Sequence, residues 1–280
     1  MELLEQVTIN VIANIASSII LLLFASIVYF FVYLRERQQL LRFFGVDKRH
    51  KNIRIYVTRM EIQPRGALGF EPVSKGYTGP AIAKVDYDGA MIIRNLLHSM
   101  SFSFLPQGIQ DWLGDQNLAL LAIDPTVDVS PLSLEAIKDA NIITLGTGIY
   151  NIVSKHYLEH PSCHFIFTKN EQGERVIKIR QGGLKDVEIP GRSENRELGI
   201  IQRINDSREH NTIFVCAGLG LSATYGCSRF LVEKWKDIQR KYRNNEFSLC
   251  LAFPQQDEDS ETVVNPIIVY EWSQKTTQNS

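Results

Sequence analysis

Thr212-Ile-Phe-Val-Cys-Ala-Gly-Leu-Gly-Leu-Ser-Ala-Thr-Tyr-Gly-Cys-Ser-Arg-Phe-Leu-Val-Glu-Lys-Trp235 carries the pattern that decides the fold. Thr212 to Ala217 is a buried-type strand, Gly218-Leu219-Gly220 breaks it, and Ser222 to Tyr242 is a helix with Tyr225, Phe230, Leu231, Trp235 and Ile238 inward. Asn141-Ile-Ile-Thr-Leu145, then Gly146-Thr147-Gly148, then a helix over Ile149–Leu158 repeats this strand–glycine turn–helix unit.

Outward from these two units, Asn52–Thr58 alternates and forms the first strand. Gln63–Pro80 is a long glycine-rich loop, and Asp86–Met100 has helical spacing. Leu118–Ile123 suits a strand and Ser133–Ala140 a short helix. Cys163–Thr168 and Val176–Arg180 pair as a hairpin through Asn170–Gly173, and Gly182–Glu197 is irregular. Leu198–Ile204, Phe247–Phe253 and Ile267–Trp272 complete the strands. Strands alternating with helices predict an α/β domain over 52–273: a Rossmann-like, mostly parallel, doubly wound sheet with a hairpin insertion. A flexible tail, 274–280, follows.

The N-terminal segment has another character. Between Glu5 and Arg35 there is no charged side chain, roughly 29 positions against the ~20 that cross a bilayer. A signal peptide would want a basic start, a shorter apolar core and a small-residue cleavage site, whereas this start carries Glu2 and Glu5. Tyr29, Phe30, Phe31 and Tyr33 gather where rings prefer the headgroup level. Residues 1–34 therefore form a transmembrane helix, and 35–51 a juxtamembrane helix and linker stopped at Gly45. Arg35, Arg37, Arg42, Lys48, Arg49, Lys51 and Arg54 follow the span and no Lys or Arg precedes it. The positive-inside bias puts the N-terminus outside and the domain in the cytoplasm.

Composition agrees with that compartment. The four cysteines, Cys163, Cys216, Cys227 and Cys250, lie far apart, as thiols do in a reducing environment, and match no zinc-ribbon spacing. A net charge of −1 gives no surface for duplex nucleic acid.

Within the span, Asn10, Asn14, Ser17 and Ala25 fall near one helical face, with Ser18 beside them. Either the two asparagines sit wet at the outer interface, or the stripe packs against other copies and lines a pore in a homo-oligomer.

Each glycine turn lets the backbone approach a ligand, and a helix start offers N–H donors and positive dipole to phosphate. Both turns stand where strands of an open α/β sheet end, the edge that binds ligands. Neither is a full Gly-x-Gly-x-x-Gly, and no Walker lysine follows. The expected ligand contacts are Thr58, Arg59, Arg65, Gly146, Thr147, Gly148, Tyr150, Asn151, Gly218, Leu219, Gly220, Ser222 and Thr224. Ser222 and Thr224 could equally cap the long helix, and Tyr150 and Asn151 close the loop. His156-Tyr-Leu-Glu-His160 matches an inverted zincin pattern, but Pro161 ends its helix and no acidic third ligand follows at helical spacing. Asp111, Asp115, Asp124 and Asp128 read as solvated loop acids. No metal or resident cofactor is expected.

The Thr212–Trp235 stretch, Leu145-Gly-Thr-Gly-Ile-Tyr-Asn151 and the anchor-plus-α/β layout resemble membrane-anchored bacterial effectors with a SLOG-superfamily domain of the STALD variety. The resemblance implies antiphage defence: a partner nucleotidyltransferase makes a cyclic or linear (oligo)nucleotide, the cytosolic domain binds it, and the span permeabilises the inner membrane. Enzymes of the superfamily carry Gly-Gly-x-Gly-Thr-x-x-Glu, and Ala217-Gly-Leu-Gly-Leu-Ser-Ala-Thr-Tyr225 has no Glu there. Members often have two spans where this chain shows one. The alternatives are a tethered nucleotide or NAD hydrolase or deoxyribosyltransferase served by Glu71, Asp86 or Asp88, and a structural membrane adaptor.

Overall fold

A computed structural model describes residues 2–47, 53–62, 79–99, 108, 126–129, 140–148, 151–180, 187–190, 192–193, 196–206, 210–220, 223–254 and 265–274. They fall into two compact units, Met1–Leu40 and Leu41–Ser280. The division lies inside the segment read as juxtamembrane.

The first unit is helix. α1 spans Glu2–Phe43 without a break, about 63 Å at 1.5 Å per residue, twice the ~30 Å of a hydrocarbon core. Its side chains from Ile12 to Val32 are exposed, and within Ile12–Phe43 an 18-residue stretch reaches a mean hydropathy of 2.6, so the helix is long and apolar enough to cross a membrane. Ser18 donates its hydroxyl to the Asn14 carbonyl at 2.8 Å, so this part of the polar stripe is satisfied inside the helix. Asn10, Asn14 and Ser17 are exposed.

The second unit begins with the last turn of α1. The Gly45 N–H donates to the Arg42 carbonyl and the Val46 N–H to the Leu41 carbonyl, at 3.1 and 2.8 Å, the paired bonds of a glycine-capped helix end. Gly45 holds φ at +77°, and a Cβ there would lie 2.2 Å from Thr212 Oγ1. Leu41, Phe43, Phe44 and Val46 are buried. The Phe43 ring lies 5.1 Å from that of Phe214, 6.4 Å from Trp235 and 6.5 Å from Phe247.

The domain then runs β1 (Ile53–Val57), β2 (Arg59–Ile62), β3 (Gly79–Ile82), α2 (Lys84–Ser99), β4 (Thr126–Val129), β5 (Asn141–Leu145), α3 (Ile152–Leu158), β6 (Phe165–Lys169), β7 (Arg175–Ile179), β8 (Val187–Pro190), β9 (Arg192–Ser193), β10 (Arg196–Asn205), β11 (Thr212–Leu219), α4 (Ala223–Tyr242), β12 (Phe247–Pro254) and β13 (Ile267–Ser273). The main sheet has eight strands in the order β13-β12-β10-β11-β5-β1-β4, with β9 paired to β10. β4, β1, β5 and β11 are mutually parallel. β10 runs against both β11 and β12, and β13 against β12. The sheet is thus mostly parallel by strand direction with an antiparallel half.

Period-2 alternation sorts the two faces. Ile142, Ile213, Val215 and Ala217 meet Val153, Tyr157 and Leu158 of α3, together with Phe165, Ile177 and Ile179 of a three-stranded sheet β6-β7-β8. On the opposite face α2 crosses α4 closely: a Cβ on Gly89 would lie 2.7 Å from Ser228 Oγ and 3.6 Å from Leu145 Cδ1. Gly199, Gly218 and Gly226 have the same role for α4. Side chains there would collide with Cys227 Sγ, with Ala223 and with the Phe253 ring, respectively.

Several expectations are corrected. α3 begins at Ile152 rather than Ile149, because Asn151 is its N-cap. Gly218 and Leu219 belong to β11 rather than to a turn, since the α4 start packs against the strand there. The stretch expected to be irregular, 182–197, contributes β8, β9 and the start of β10. Tyr225 and Phe230 are half-buried, whereas Leu231, Trp235 and Ile238 are buried as expected. Part of the Gln63–Pro80 loop is strand, with β3 pairing antiparallel to β2. The readings at Leu118–Ile123 and 133–139 lie outside the described residues.

Candidate functional site

β1 and β5 are parallel neighbours, and their chains leave in opposite directions, toward β4 on one side and toward β10 and β11 on the other. Such a reversal opens a crevice at the strands' carboxyl ends, where open α/β sheets take their ligands. Thr58 follows β1, Gly146 follows β5, and Asp86 arrives in the first turn of α2. Thr58 and Asp86 are 3% and 5% exposed. The Thr58 hydroxyl hydrogen-bonds the Asp86 carboxyl, and Thr58 Oγ1 is 3.5 Å from the Leu145 carbonyl oxygen. Burial raises the Asp86 pKa above the usual carboxylate range, and the Thr58 bond opposes that shift. Gly146 holds φ at +92°, and a Cβ on it would lie 2.3 Å from Thr58 Oγ1 and 2.7 Å from Asp86 Oδ2.

Asn151 ties the crevice together from below. Its Oδ1 accepts from the Val153 and Ser154 N–H groups at 3.0 and 3.1 Å. Its Nδ2 donates to the Leu145 carbonyl at 2.8 Å and to the Tyr56 carbonyl at 3.4 Å, joining the ends of β5 and β1. The Gly146 N–H donates to the Cys216 carbonyl at 3.0 Å, which brings the end of β11 beside it. These amides, expected to receive phosphate, already have partners.

Of the expected contacts, Thr58, Gly146 and Asn151 lie together, with Thr147 and Gly148 on the adjoining turn. Gly220 (φ +138°) lies against the buried carboxylate of Glu197, where a Cβ would meet Oε1 at 2.3 Å. Thr224 is buried in the first turn of α4 and its carbonyl accepts from Ser228 Oγ at 3.1 Å. Arg59 opens β2. Arg65, Tyr150 and Ser222 lie outside the described residues. Of the two buried acids beside the glycine turns, Asp86 is expected only as a carboxylate of the alternative enzyme reading, and Glu197 is absent from every expectation. Asp86 carries a weak signal as an acid in a helix first turn; Glu197 carries none.

At the amino edge of the sheet a cavity of about 400 Å³ is lined by Arg42, Arg203, His210, Asn211 and Asn244, among others. Arg203 is buried, donates to the Arg243 carbonyl at 2.8 Å and stands 5.9 Å over the Phe214 ring, while its Nε has no hydrogen-bond partner among the described residues. Burial lowers its pKa to about 10.

Among the described residues no group of His, Cys, Asp and Glu could hold a metal ion. His160 Nδ1 accepts from the Ser162 N–H, while His164 stacks on Trp272 with centroids 4.7 Å apart. All four cysteines are free and buried; burial pushes Cys163 up to about 11 and Cys216 and Cys250 up to about 12, so none is a ready nucleophile. Comparison with protein-family models, curated proteins and solved structures finds no match for the chain.

Proposed function

We propose that this chain is a membrane effector gated by a nucleotide signal, with a Rossmann-like, doubly wound cytosolic domain that binds the signal and a homo-oligomeric span that opens or disrupts the membrane. The observation that carries this reading is one of continuity. A helix apolar enough to cross a membrane runs unbroken until its last turn packs Phe43 against Phe214 of β11, and the far end of that strand lies beside the glycine turns. Binding at the carboxyl edge can thus bear on the strand that holds the end of the helix. The ligand must bind the open assembly better than the closed one for anything to move. Self-association is supported by β13, an edge strand with Ile267, Ile268 and Val269 exposed. The antiphage setting, the partner nucleotidyltransferase, the bacterial inner membrane and the N-out orientation follow from the resemblance and the flanking charges. The test is dye leakage from liposomes holding the purified full-length protein, with cyclic and linear oligonucleotides added in turn. Leakage dependent on one of them is expected; leakage indifferent to all of them removes the reading.

The buried Asp86 at the crevice favours a second reading, a membrane-tethered enzyme that cleaves a nucleotide or NAD. Released base or nicotinamide, lost in Asp86→Asn, would establish it.

A further inference from the structure

The nucleotide reading raises a difficulty that the geometry resolves. The Val153 and Ser154 N–H groups at the start of α3 are taken by Asn151 Oδ1, so the phosphates of a ligand at the Gly146–Gly148 turn need another source of positive charge. The first cation along α3 is Lys155, one turn beyond Asn151. Gly148 brings the turn against it: a Cβ on Gly148 would lie 2.8 Å from Lys155 Cα. Here a cleft of about 470 Å³ opens between α3 and the β6–β7 hairpin, with Gly148, Lys155 and Arg180 in its lining. That volume is in the range of small-ligand sites. The Arg180 guanidinium is held by its Nη1 on the His160 carbonyl at 2.9 Å and the Cys163 carbonyl at 3.4 Å, so a second cation is fixed in place. Leu158, Ile166 and Phe167 supply the apolar wall, and Phe167 is braced against the core behind it. Among the described residues one acid, Glu159, lines the cleft, against the two cations.

We propose that this cleft is where the signal is read, with its phosphates on Lys155 and Arg180 and its base against the Phe167 ring. The inference rests on the nucleotide reading above and names the residues and ligand features that site would use. Two cations beside an aromatic wall fit a ligand that is anionic at one end and flat and apolar at the other. Base–aromatic contact accepts any base, so recognition of a particular nucleotide falls to the remaining polar groups around the turn.

The experiment is calorimetry on the full-length protein in nanodiscs, with ATP, cyclic di-AMP and cyclic di-GMP as probes and pyrophosphate as an anion lacking a base. At least one nucleotide should bind, and Lys155→Glu and Phe167→Leu should each weaken it about tenfold. Lys155→Arg should bind like the parent, and Phe167→Leu should leave any pyrophosphate binding unchanged. Phe167→Leu keeps an apolar side chain against the core, and an unchanged melting temperature confirms its fold. A nucleotide that binds the parent and both weakening variants equally overturns the cleft and leaves nucleotide gating standing. Binding of pyrophosphate alone overturns the role of Phe167 and with it the proposal. If none of the three nucleotides binds at millimolar concentration, the nucleotide reading itself falls.

Discussion

Gly146 leaves no space for a side chain in front of Asp86: a Cβ on the glycine would lie 2.7 Å from the carboxylate Oδ2. With φ at +92°, the same position also excludes ordinary L residues by backbone strain. Gly146→Ala should destabilise the domain by about 2 kcal/mol or more, read as a fall in the urea midpoint at constant slope. A midpoint within error of the parent would mean that Thr58 and Asp86 yield freely.

Asp86 should be a residue that lowers stability at neutral pH. Its folded pKa is raised, so between the unfolded value near 3.9 and the folded value the native state holds the proton more tightly. Stability from this group is then present at low pH and lost as pH rises through the folded pKa. Asp86→Asn keeps an acceptor for Thr58 and should raise the melting temperature at pH 7. A lower melting temperature would contradict the burial argument.

His164 pulls the other way. Burial depresses its pKa to about 4, so between pH 6.5 and 4 the unfolded chain takes up a proton that the native chain refuses. Stability from this group falls as pH drops through that window. His164→Phe, which keeps an aromatic ring against Trp272 at the same place, should flatten the acid limb of the stability curve. An acid limb parallel to the parent's would assign the loss to other groups.

Gln202 is fully buried in β10 and works as a clamp on the start of β6. Its Oε1 accepts from the His164 and Phe165 N–H groups and from Ser248 Oγ, at 2.9, 2.8 and 3.1 Å. Its Nε2 donates to the Phe165 carbonyl at 3.0 Å and to Cys163 Sγ at 2.9 Å. Gln202→Leu strands two backbone donors and should cost about 2–4 kcal/mol, measured by chemical denaturation. A cost below ~1 kcal/mol would show that water enters in its place.

Asn14→Leu tests the pore. Asn14 is exposed on α1, and if the polar stripe lines the conducting path, the substitution should abolish nucleotide-dependent leakage while leaving nucleotide affinity intact. Unchanged leakage would remove the stripe from the path.

Strands were legible wherever apolar and β-branched residues run together, and β5 matches its expectation to the residue, Asn141–Leu145. The reversed direction of β10 also had a signal. The link from Asn205 to Thr212 is too short for the crossover that parallel neighbours require, so it could only make a hairpin. The shift of α3 and the absorption of Gly218 into β11 turn on one capping side chain and one close helix approach, which no periodicity records. Gln202 was illegible because a lone polar residue in an apolar strand gives no hint that its partners are the N–H groups at 164 and 165. Thr58, Asp86 and Gly146 meet only because sheet order places β1 beside β5. Glycine spacing thus marked where the chain turns at the strand ends, while the acids packed against those turns gave it no sign.

The root of α1 sets where the chain can be cut. Phe43 and Phe44 belong to the same aromatic cluster as Phe214, Trp235 and Phe247, so the domain's own interior begins before its first strand. A lipid-free fragment begun at residue 52 would wet that cluster and aggregate. One begun a turn ahead of Leu41 carries its own plug and is the form suited to crystals and titrations.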